Sequence, residues 1–360
     1  MARRIPLFNP KCELETCREE MESVFTRVAQ SGIYVNGSEC QKFELRFAEF
    51  CQIPLAVAVS SGTMALELML RADGIKSGTR VVTTAHTFVA VLEAILSVGA
   101  EPVFVDIDPE TWQMPCGDWP DDAVIVCHLY GGFSGGVKSN ARLLYEDASQ
   151  SFGGIFEGRP LGTFGRAGAI SLYPTKNLSA LGDAGVIITG DEYLASRLRA
   201  LRNHGQTMPQ VHDYCGTTGR MDELQAAMLS EKLVLFDSFL DARRQAADFY
   251  TSSLKGLPLR LPSEVDNHLA APNLFVIRCE VRDELQEFLR ERGIITGIHY
   301  PMPLHRISAY RDQPWAQVSL PQTELLCDEI LSLPLWVGIA AQDQERVVNA
   351  IRVFFGVATE

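Results

Sequence analysis

The sequence predicts an α/β protein with a mainly parallel sheet, followed by a smaller α+β domain. Between residues 55 and 189, short apolar or β-branched runs alternate with helical patterns. This alternation is typical of parallel strands with helices on both faces of the sheet. The predicted strands are Leu55–Val59, Arg80–Thr83, Pro102–Val105, Ala123–Cys127, Leu143–Glu146, Ala167–Leu172 and Val186–Thr189.

Polar residues follow several of these strands. Ser61, His128, Asp147 and Ser171 all lie at or just past a predicted strand end. In open α/β sheets, ligands bind beyond the carboxyl ends of the strands. We therefore expect these four residues to meet at one edge of the sheet.

A second domain is predicted after a long amphipathic pattern. The pattern runs from Arg220 toward Tyr250 and predicts one helix that leaves the first domain. We expect residues 1–240 to form a large domain with an N-terminal arm and residues 241–360 a small C-terminal domain. Strand and helix patterns alternate in the small domain, including a strand pattern over Ile294–Tyr300.

Charge and composition exclude several classes of protein. The chain has 360 residues and a formal net charge of -13, which argues against nucleic acid or an anionic membrane as a partner. No apolar run follows the basic residues at the start, so we expect a cytoplasmic protein without a secretion signal. The nine cysteines form no Cys-x-x-Cys pair and no zinc-like spacing with histidine, so we expect reduced thiols and no metal site.

Lys176 and Asp147 are the strongest candidates for chemistry. Lys176 follows a predicted strand in the segment Pro174–Leu178, and Asp147 ends another predicted strand. Pyridoxal phosphate requires a lysine that binds its aldehyde and an acid that keeps its pyridine nitrogen protonated. On local sequence alone, a surface role for Lys176 and a helix N-cap for Asp147 remain open.

An anion site is predicted at the start of the first helix of the sheet domain. Ser61, Gly62 and Thr63 lie between a strand and an amphipathic helix, where backbone N–H groups and hydroxyls can bind a phosphate. Ser171 offers another hydroxyl. The alternatives are an ordinary helix start and, for Ser171, hydrogen bonding at a strand end.

The order of the motifs resembles the DegT/DnrJ/EryC1/StrS sugar aminotransferase family. The matching segments are residues 61–63, 87–90, 146–150, 174–177, 202–205, 219–227 and 297–301. The resemblance implies pyridoxal-phosphate fold type I and a homodimer with shared active sites. It implies transfer of an amino group from an amino acid, usually glutamate, to a nucleotide-linked keto sugar. The segment Asn177–Gly185 resembles the branch that aminates C3 of 3-keto-6-deoxyhexoses.

The resemblance also implies roles for further residues. Phe88 would stack on the cofactor ring, with core packing as the alternative, and Gln150 would reach the ring hydroxyl. His299 and Tyr300 would lie near the sugar, although a histidine in a strand is usually only packed. Thr218 stands where relatives have an asparagine that reaches the phosphate of the neighbouring subunit, and its shorter side chain puts that contact in question.

Three alternatives stay open. A C4 nucleotide-sugar aminotransferase and an aminocyclitol aminotransferase use the same scaffold. A non-catalytic regulator or binding protein can retain the fold, because fold alone does not fix function. The segment Gly131–Gly136 lacks the residues of a phosphate-binding loop and is interpreted as a flexible turn.

Overall fold

A seven-stranded sheet forms the centre of the protein in a computed structural model that describes residues 3–120 and 122–357. The predicted strands are present, and each predicted end differs from the observed end by no more than one residue. The strands are β1 Leu55–Val59, β2 Arg80–Thr84, β3 Glu101–Val105, β4 Ala123–Cys127, β5 Leu143–Asp147, β6 Ile155–Phe156, β7 Arg159–Pro160, β8 Ala167–Ser171, β9 Gly185–Thr189, β10 Gln206–Met208, β11 Val211–His212, β12 His268–Leu269, β13 Phe275–Arg278 and β14 Ile330–Leu333.

The strand order of the large sheet is β1-β9-β8-β5-β4-β2-β3. Neighbouring strands from β8 to β3 are parallel, whereas β9 runs antiparallel to both β1 and β8. The carboxyl ends of β1, β4, β5 and β8 therefore share one edge. The mainly parallel sheet predicted from the sequence is confirmed.

Helices cover both faces of this sheet. They are α1 Lys11–Thr16, α2 Arg18–Ser31, α3 Ser38–Phe50, α4 Gly62–Ala72, α5 Ala90–Ser97, α6 Glu192–Leu201, α7 Glu223–Val234, α8 Phe236–Leu254, α9 Arg282–Glu291, α10 Pro321–Glu329 and α11 Ala341–Phe354. Alternate residues of β1 enter different cores: Val57 and Val59 face α4, α5 and α6, while Ala56 and Ala58 face α3 and α7.

The predicted long helix is divided. Helix α7 ends at Val234 and α8 begins at Phe236. Between them, the Leu235 N–H donates to the carbonyl of Lys232, three residues earlier in the chain. No glycine or proline marks this break. It allows α7 to pack on α3 while the fully buried Phe236 packs against Phe152, so tertiary packing overrides the local pattern.

The second unit is built around β13 and β14, which pair antiparallel beneath α8, α9 and α11. Ile5, near the start of the chain, is fully buried in this core and bridges to Ile294. The segment Ile294–Tyr300 forms isolated bridges and no regular strand, contrary to the prediction. None of the described helices combines the length and apolar character needed to cross a bilayer.

Candidate active site

A cavity of about 350 Å³ opens at the carboxyl ends of β1, β4, β5 and β8. It brings together all but one of the site residues predicted from the sequence; Thr218 lies elsewhere. The residues that line it are Ser61, Gly62, Thr63, Leu66, Thr87, Phe88, Ala90, Cys127, His128, Leu129, Asp147, Ser149, Gln150, Ser171, Tyr173, Thr175, Lys176, Asp183, His299 and Tyr300.

The antiparallel direction of β9 determines where Lys176 lies. Because β8 ends and β9 begins at the same edge, the connection 172–184 stays on the cavity side and does not cross the sheet. Asn177, next to Lys176, is buried and donates from Nδ2 to the Phe152 carbonyl at 3.1 Å and the Ala271 carbonyl at 2.9 Å. These bonds fix the loop that presents the lysine.

Lys176 and Asp147 line the same cavity, and the charge of Asp147 acts on the lysine. Burial lowers the pKa of the Lys176 ammonium, and the negative charge of Asp147 partly opposes this shift. Burial therefore favours the neutral amine, which is the form that can act as a nucleophile or base. Asp147 Oδ1 also accepts the Ser149 N–H at 3.0 Å, which closes a turn and caps no helix.

The predicted anion site lies at the N-terminus of α4. Ser61 is the N-cap, and its Oγ accepts the Met64 N–H at 3.0 Å. Gly62 packs so closely against β8 that an added Cβ would lie 2.6 Å from the Ser171 Cβ. The helix start, Thr63 and the Ser171 hydroxyl therefore converge at one end of the cavity, where the helix dipole favours an anion.

Two aromatic rings lie at the cavity. Phe88 is 49% exposed, so it is not a core residue in this chain, and its ring centroid is 5.7 Å from that of Tyr300. Gln150 connects the same region: its Nε2 donates to Tyr300 Oη at 2.9 Å, and its Oε1 accepts the Tyr130 N–H at 3.1 Å. The predicted contact of Gln150 with a cofactor hydroxyl would therefore use the second N–H of its Nε2.

His299 and Tyr300 reach the cavity from the second unit. Burial, and secondarily the charge of Lys176, lowers the pKa of His299 to about 4. Burial and then Asp147 raise the pKa of the Tyr300 phenol. Both side chains are therefore neutral near pH 7, and His299 Nδ1 is 2.8 Å from Ser332 Oγ. They can offer hydrogen bonds to an uncharged ligand such as a sugar.

Thr218 lies outside the residues that line the cavity of its own chain. It is exposed, and its Oγ1 is 3.1 Å from His204 Nε2.

His128 and Glu146 form a buried pair that sequence reasoning did not assign. His128 Nε2 is 3.0 Å from Glu146 Oε2, and the carboxylate also accepts the Gly162 and Gly165 N–H groups at 2.8 and 2.6 Å. As expected for neighbours in a strand, Glu146 and Asp147 point to opposite faces. His128 Nδ1 accepts the Ser134 N–H, so the imidazole is the Nε2–H tautomer.

Other cavity residues missed by the sequence reasoning lie beside its motifs. Ser149 is between the assigned Asp147 and Gln150, and its Oγ accepts the Ser171 N–H at 2.9 Å. The place of Ser149 inside this motif is the sequence signal that could have identified it. Further unassigned lining residues with hydroxyl or carboxylate side chains are Thr87, Tyr173, Thr175 and Asp183.

The segment Gly131–Gly136 is a packed turn and not an exposed loop. Gly131 has φ +87°, and an added Cβ would lie 2.5 Å from the Ala271 carbonyl oxygen. Phe133 and Ser134 are buried, and a short 3₁₀ turn begins at Gly135. The interpretation as a flexible turn was wrong in this respect, because the segment packs between the two units.

Comparisons with known proteins agree on the family. A sequence profile of the DegT/DnrJ/EryC1/StrS aminotransferase family matches residues 15–352. The chain is 37% identical to the dTDP-3-amino-3,4,6-trideoxy-alpha-D-glucose transaminase of Streptomyces venezuelae, over 97% of this chain and 96% of that protein. It is 34% identical to a pleiotropic regulatory protein of Geobacillus stearothermophilus, over 98% of each.

A solved structure agrees with the fold. The crystal structure of S. venezuelae DesV in complex with a ketimine intermediate superposes with a TM-score of 0.94. The identity is 35%, and the match covers 99% of this chain and all of that chain. The predicted pyridoxal-phosphate fold type I is confirmed.

The cofactor of this family is pyridoxal phosphate, and the cavity fits it. The half-buried Lys176, with its lowered pKa, matches the aldehyde, the Asp147 carboxylate matches the pyridine nitrogen, and the α4 N-terminus with its hydroxyls matches the phosphate. No group of three or more His, Cys, Asp or Glu side chains within residues 3–120 and 122–357 is arranged to hold a metal ion.

Proposed function

This chain belongs to the DegT/DnrJ/EryC1/StrS aminotransferase family, and we propose that it moves an amino group from an amino acid to a keto sugar carried on a nucleotide. Glutamate is the proposed donor. The proposed acceptor is a 3-keto-6-deoxyhexose, because the segment Asn177–Gly185 resembles the C3-aminating branch and the S. venezuelae relative is named for a 3-amino sugar.

The observation that carries this proposal is the position of Lys176. Its amine is buried in a cavity that also contains Asp147 and a helix N-terminus. We assign Lys176 as the covalent attachment point of pyridoxal phosphate and as the base that moves protons. When bound, the cofactor would supply an electron-accepting ring and an aldehyde carbon that can carry the amino group from donor to acceptor.

The other residues of the cavity have separate roles in binding the cofactor and moving protons. Asp147 would hold a proton on the pyridine nitrogen, since a neighbouring carboxylate stabilises a cation. Ser61, Gly62, Thr63 and Ser171 bind the phosphate with backbone N–H groups and hydroxyls. With the cofactor and donor bound, the Lys176 Nζ would be the base within reach of the donor carbon that bears nitrogen, because the lysine is already held in the cavity.

Three side chains orient the reactants. Phe88 would stack on one face of the cofactor ring. The phenyl ring is exposed at the cavity and is therefore available for this contact. Gln150 contacts the ring hydroxyl while it retains its bond to Tyr300. The neutral His299 and Tyr300 bind the sugar hydroxyls, which carry no charge.

A substrate panel tests the activity. We expect the enzyme with pyridoxal phosphate and glutamate to aminate 3-keto nucleotide sugars, measured as amino-sugar nucleotide by mass spectrometry. Amination of 4-keto sugars alone would favour the C4 alternative, and amination of a cyclitol ketone alone would favour the aminocyclitol alternative. A panel in which no ketone is aminated would refute transamination.

Covalent trapping tests the assignment of Lys176. Reduction with borohydride followed by peptide mapping should find the cofactor on Lys176. A matched control is Lys232, which is also buried but is paired with Glu13 at 2.9 Å and is not among the residues that line the cavity. Label on any other lysine would refute the assignment.

A regulatory role is the second candidate, since one relative is named a pleiotropic regulatory protein. It predicts binding of cofactor or nucleotide sugar without turnover. The discriminating observation is the absorbance change of the bound cofactor when an amino acid is added. A change followed by its reversal on addition of a keto sugar favours catalysis, and binding without either change favours regulation.

We further propose a cytoplasmic homodimer with shared active sites. Ile33, Tyr34 and Val35 expose adjacent apolar side chains, and exposed apolar patches mark contact surfaces. Thr218, exposed and outside its own cavity, would reach the phosphate region of the partner subunit. All nine cysteines are free, which is the expected state in a reducing compartment.

A further inference from the structure

A buried hydrogen-bond network joins the two units behind the cavity. His86 follows β2 and Tyr130 follows β4, so both belong to the sheet domain. His86 Nε2 is bonded to Tyr130 Oη, and Tyr130 Oη donates to the His299 carbonyl at 2.5 Å. On the other side, Cys327 Sγ in α10 is 3.4 Å from His86 Nδ1.

The direction of each bond follows from the His299 carbonyl, which can only accept. The single proton of the Tyr130 phenol is used there, so His86 must donate from Nε2. Its Nδ1 is then free to accept the Cys327 thiol proton. Every member is satisfied only with neutral His86, and its ring is almost completely buried.

A second series of hydrogen bonds starts from the backbone of Tyr130. The Tyr130 N–H donates to Gln150 Oε1, and Gln150 Nε2 donates to Tyr300 Oη. Tyr130 therefore holds the dipeptide His299–Tyr300 at two points: its phenol binds the backbone, and its amide acts on the side chain through Gln150. Since Tyr300 Oη accepts from Gln150, its own proton is left to donate into the cavity.

We propose that Tyr130, oriented by His86, is a positioning residue that holds the His299–Tyr300 segment over the cavity so that both side chains meet the sugar in a fixed geometry. This inference rests on the proposed function for its catalytic consequence. The physical reason is that orienting groups in advance lowers the entropy cost of reaching the transition state. Tyr130 itself need not touch the substrate.

The test compares the holoenzyme with the Tyr130→Phe variant, which loses one oxygen and keeps the ring. In the absence of sugar, amide hydrogen exchange over residues 297–304 should become roughly tenfold faster, the effect of losing one hydrogen bond. The KM for the sugar should rise by about the same factor. The affinity for pyridoxal phosphate should stay within about twofold, because the phosphate and Lys176 contacts are intact.

Tyr145→Phe is the matched control. This tyrosine is also buried in the sheet domain, and its hydroxyl is bonded to Asp73 at 2.7 Å, away from the second unit. It should leave exchange over 297–304 and the KM unchanged. His86→Ala should reproduce the effect of Tyr130→Phe, and His86→Gln, which retains a donor, should restore most of it. If Tyr130→Phe does not fold, the comparison of His86→Ala with His86→Gln serves as the test in its place.

The outcomes separate this inference from the proposed function. Unchanged exchange over 297–304 in Tyr130→Phe would overturn the inference even if the enzyme aminates sugars normally. Faster exchange together with an unchanged KM would also overturn it. If the unmodified enzyme aminates no sugar, the proposed function fails, while the exchange measurement still decides whether Tyr130 holds the segment.

Discussion

Burial controls the protonation of the residues around the cavity. Desolvation lowers the pKa of Lys176 and His299 and raises that of Tyr300, so the neutral form is favoured at each. Asp147 opposes the shift at Lys176 and reinforces it at Tyr300. A single carboxylate thus influences the protonation of both Lys176 and Tyr300.

The substitution Asp147→Asn tests this influence. We expect kcat to fall by at least about a hundredfold, or ~3 kcal/mol of barrier, because the pyridine nitrogen loses its counter-charge. Steady-state kinetics with glutamate and a keto nucleotide sugar measures the effect. Asp213→Asn, which removes an exposed carboxylate bonded to Thr207, is the control and should have little effect. Equal kcat in both variants would contradict the role of Asp147.

His86 gives a pH prediction. Burial lowers its pKa from 6.5 to about 3, so between these values the unfolded chain binds a proton that the folded chain does not. Stability therefore falls as the pH drops below 6.5, by about 2 kcal/mol at pH 5 for a group with this shift. In urea unfolding, the unmodified protein should lose about that much more stability than His86→Gln between pH 7 and pH 5. Parallel losses would show that His86 is not buried in its neutral form.

At the residue level, the sequence identified the local motifs and missed the long-range contacts. Lys176, Asp147 and Ser61 are identifiable from the sequence because each lies at or after a strand end within a recognisable segment. The bonds of His86 to Tyr130 and Cys327 join residues 44 and 241 positions apart. No local pattern encodes such pairs, since only the folded sheet and the docked α10 bring them together.

At the level of elements, periodicity predicted strands better than helix ends. The strands of the sheet are buried apolar runs between turn residues, so their limits are sharp. The break between α7 and α8 at Leu235 has no local signal, because packing on two different surfaces causes it. Ile294–Tyr300 has the composition of a strand, yet only Gly297 pairs with β14, through Ser332.

A substitution that adds a side-chain atom between α4 and β8 tests the close contact of these two elements. In Gly62→Ala, the new methyl group would meet Ser171 at 2.6 Å and push the helix start away from the strand. We expect a loss of about 1–3 kcal/mol in stability and weaker binding of pyridoxal phosphate. Thermal unfolding and cofactor titration measure the two effects.

Gly190→Ala is the control for that experiment. Gly190 follows β9 in the same sheet, and an added Cβ there meets nothing within 4 Å. It should change neither quantity appreciably. If Gly62→Ala behaves like Gly190→Ala, the close contact does not position the anion site.

At the level of the whole molecule, the two predicted domains share more core than the division at residue 240 suggests. Leu274, Val276, Leu326 and Ile330 belong to the core that covers one face of the large sheet. Composition and periodicity revealed two groups of elements, but not that β13 and α10 pack on the first group. The limits 1–240 and 241–360 stay a prediction.

Assembly is testable through the exposed apolar segment. Light scattering should give about twice the chain mass of 39.8 kDa. Replacing Ile33 and Val35 with glutamate should shift the protein to the monomer, since like charges would meet at the proposed contact. Val353→Glu, an exposed change on α11, is the control. A dimer that survives both sets of changes would exclude this surface.

Ile5 is fully buried beside Ile294, in the core formed around β13 and β14. The first residues of the chain and its last third therefore pack as one body, so the N-terminal segment is a structural component and not a removable tail. Deleting residues up to Leu7 should leave an unfilled space in this core and lower the stability of the C-terminal region.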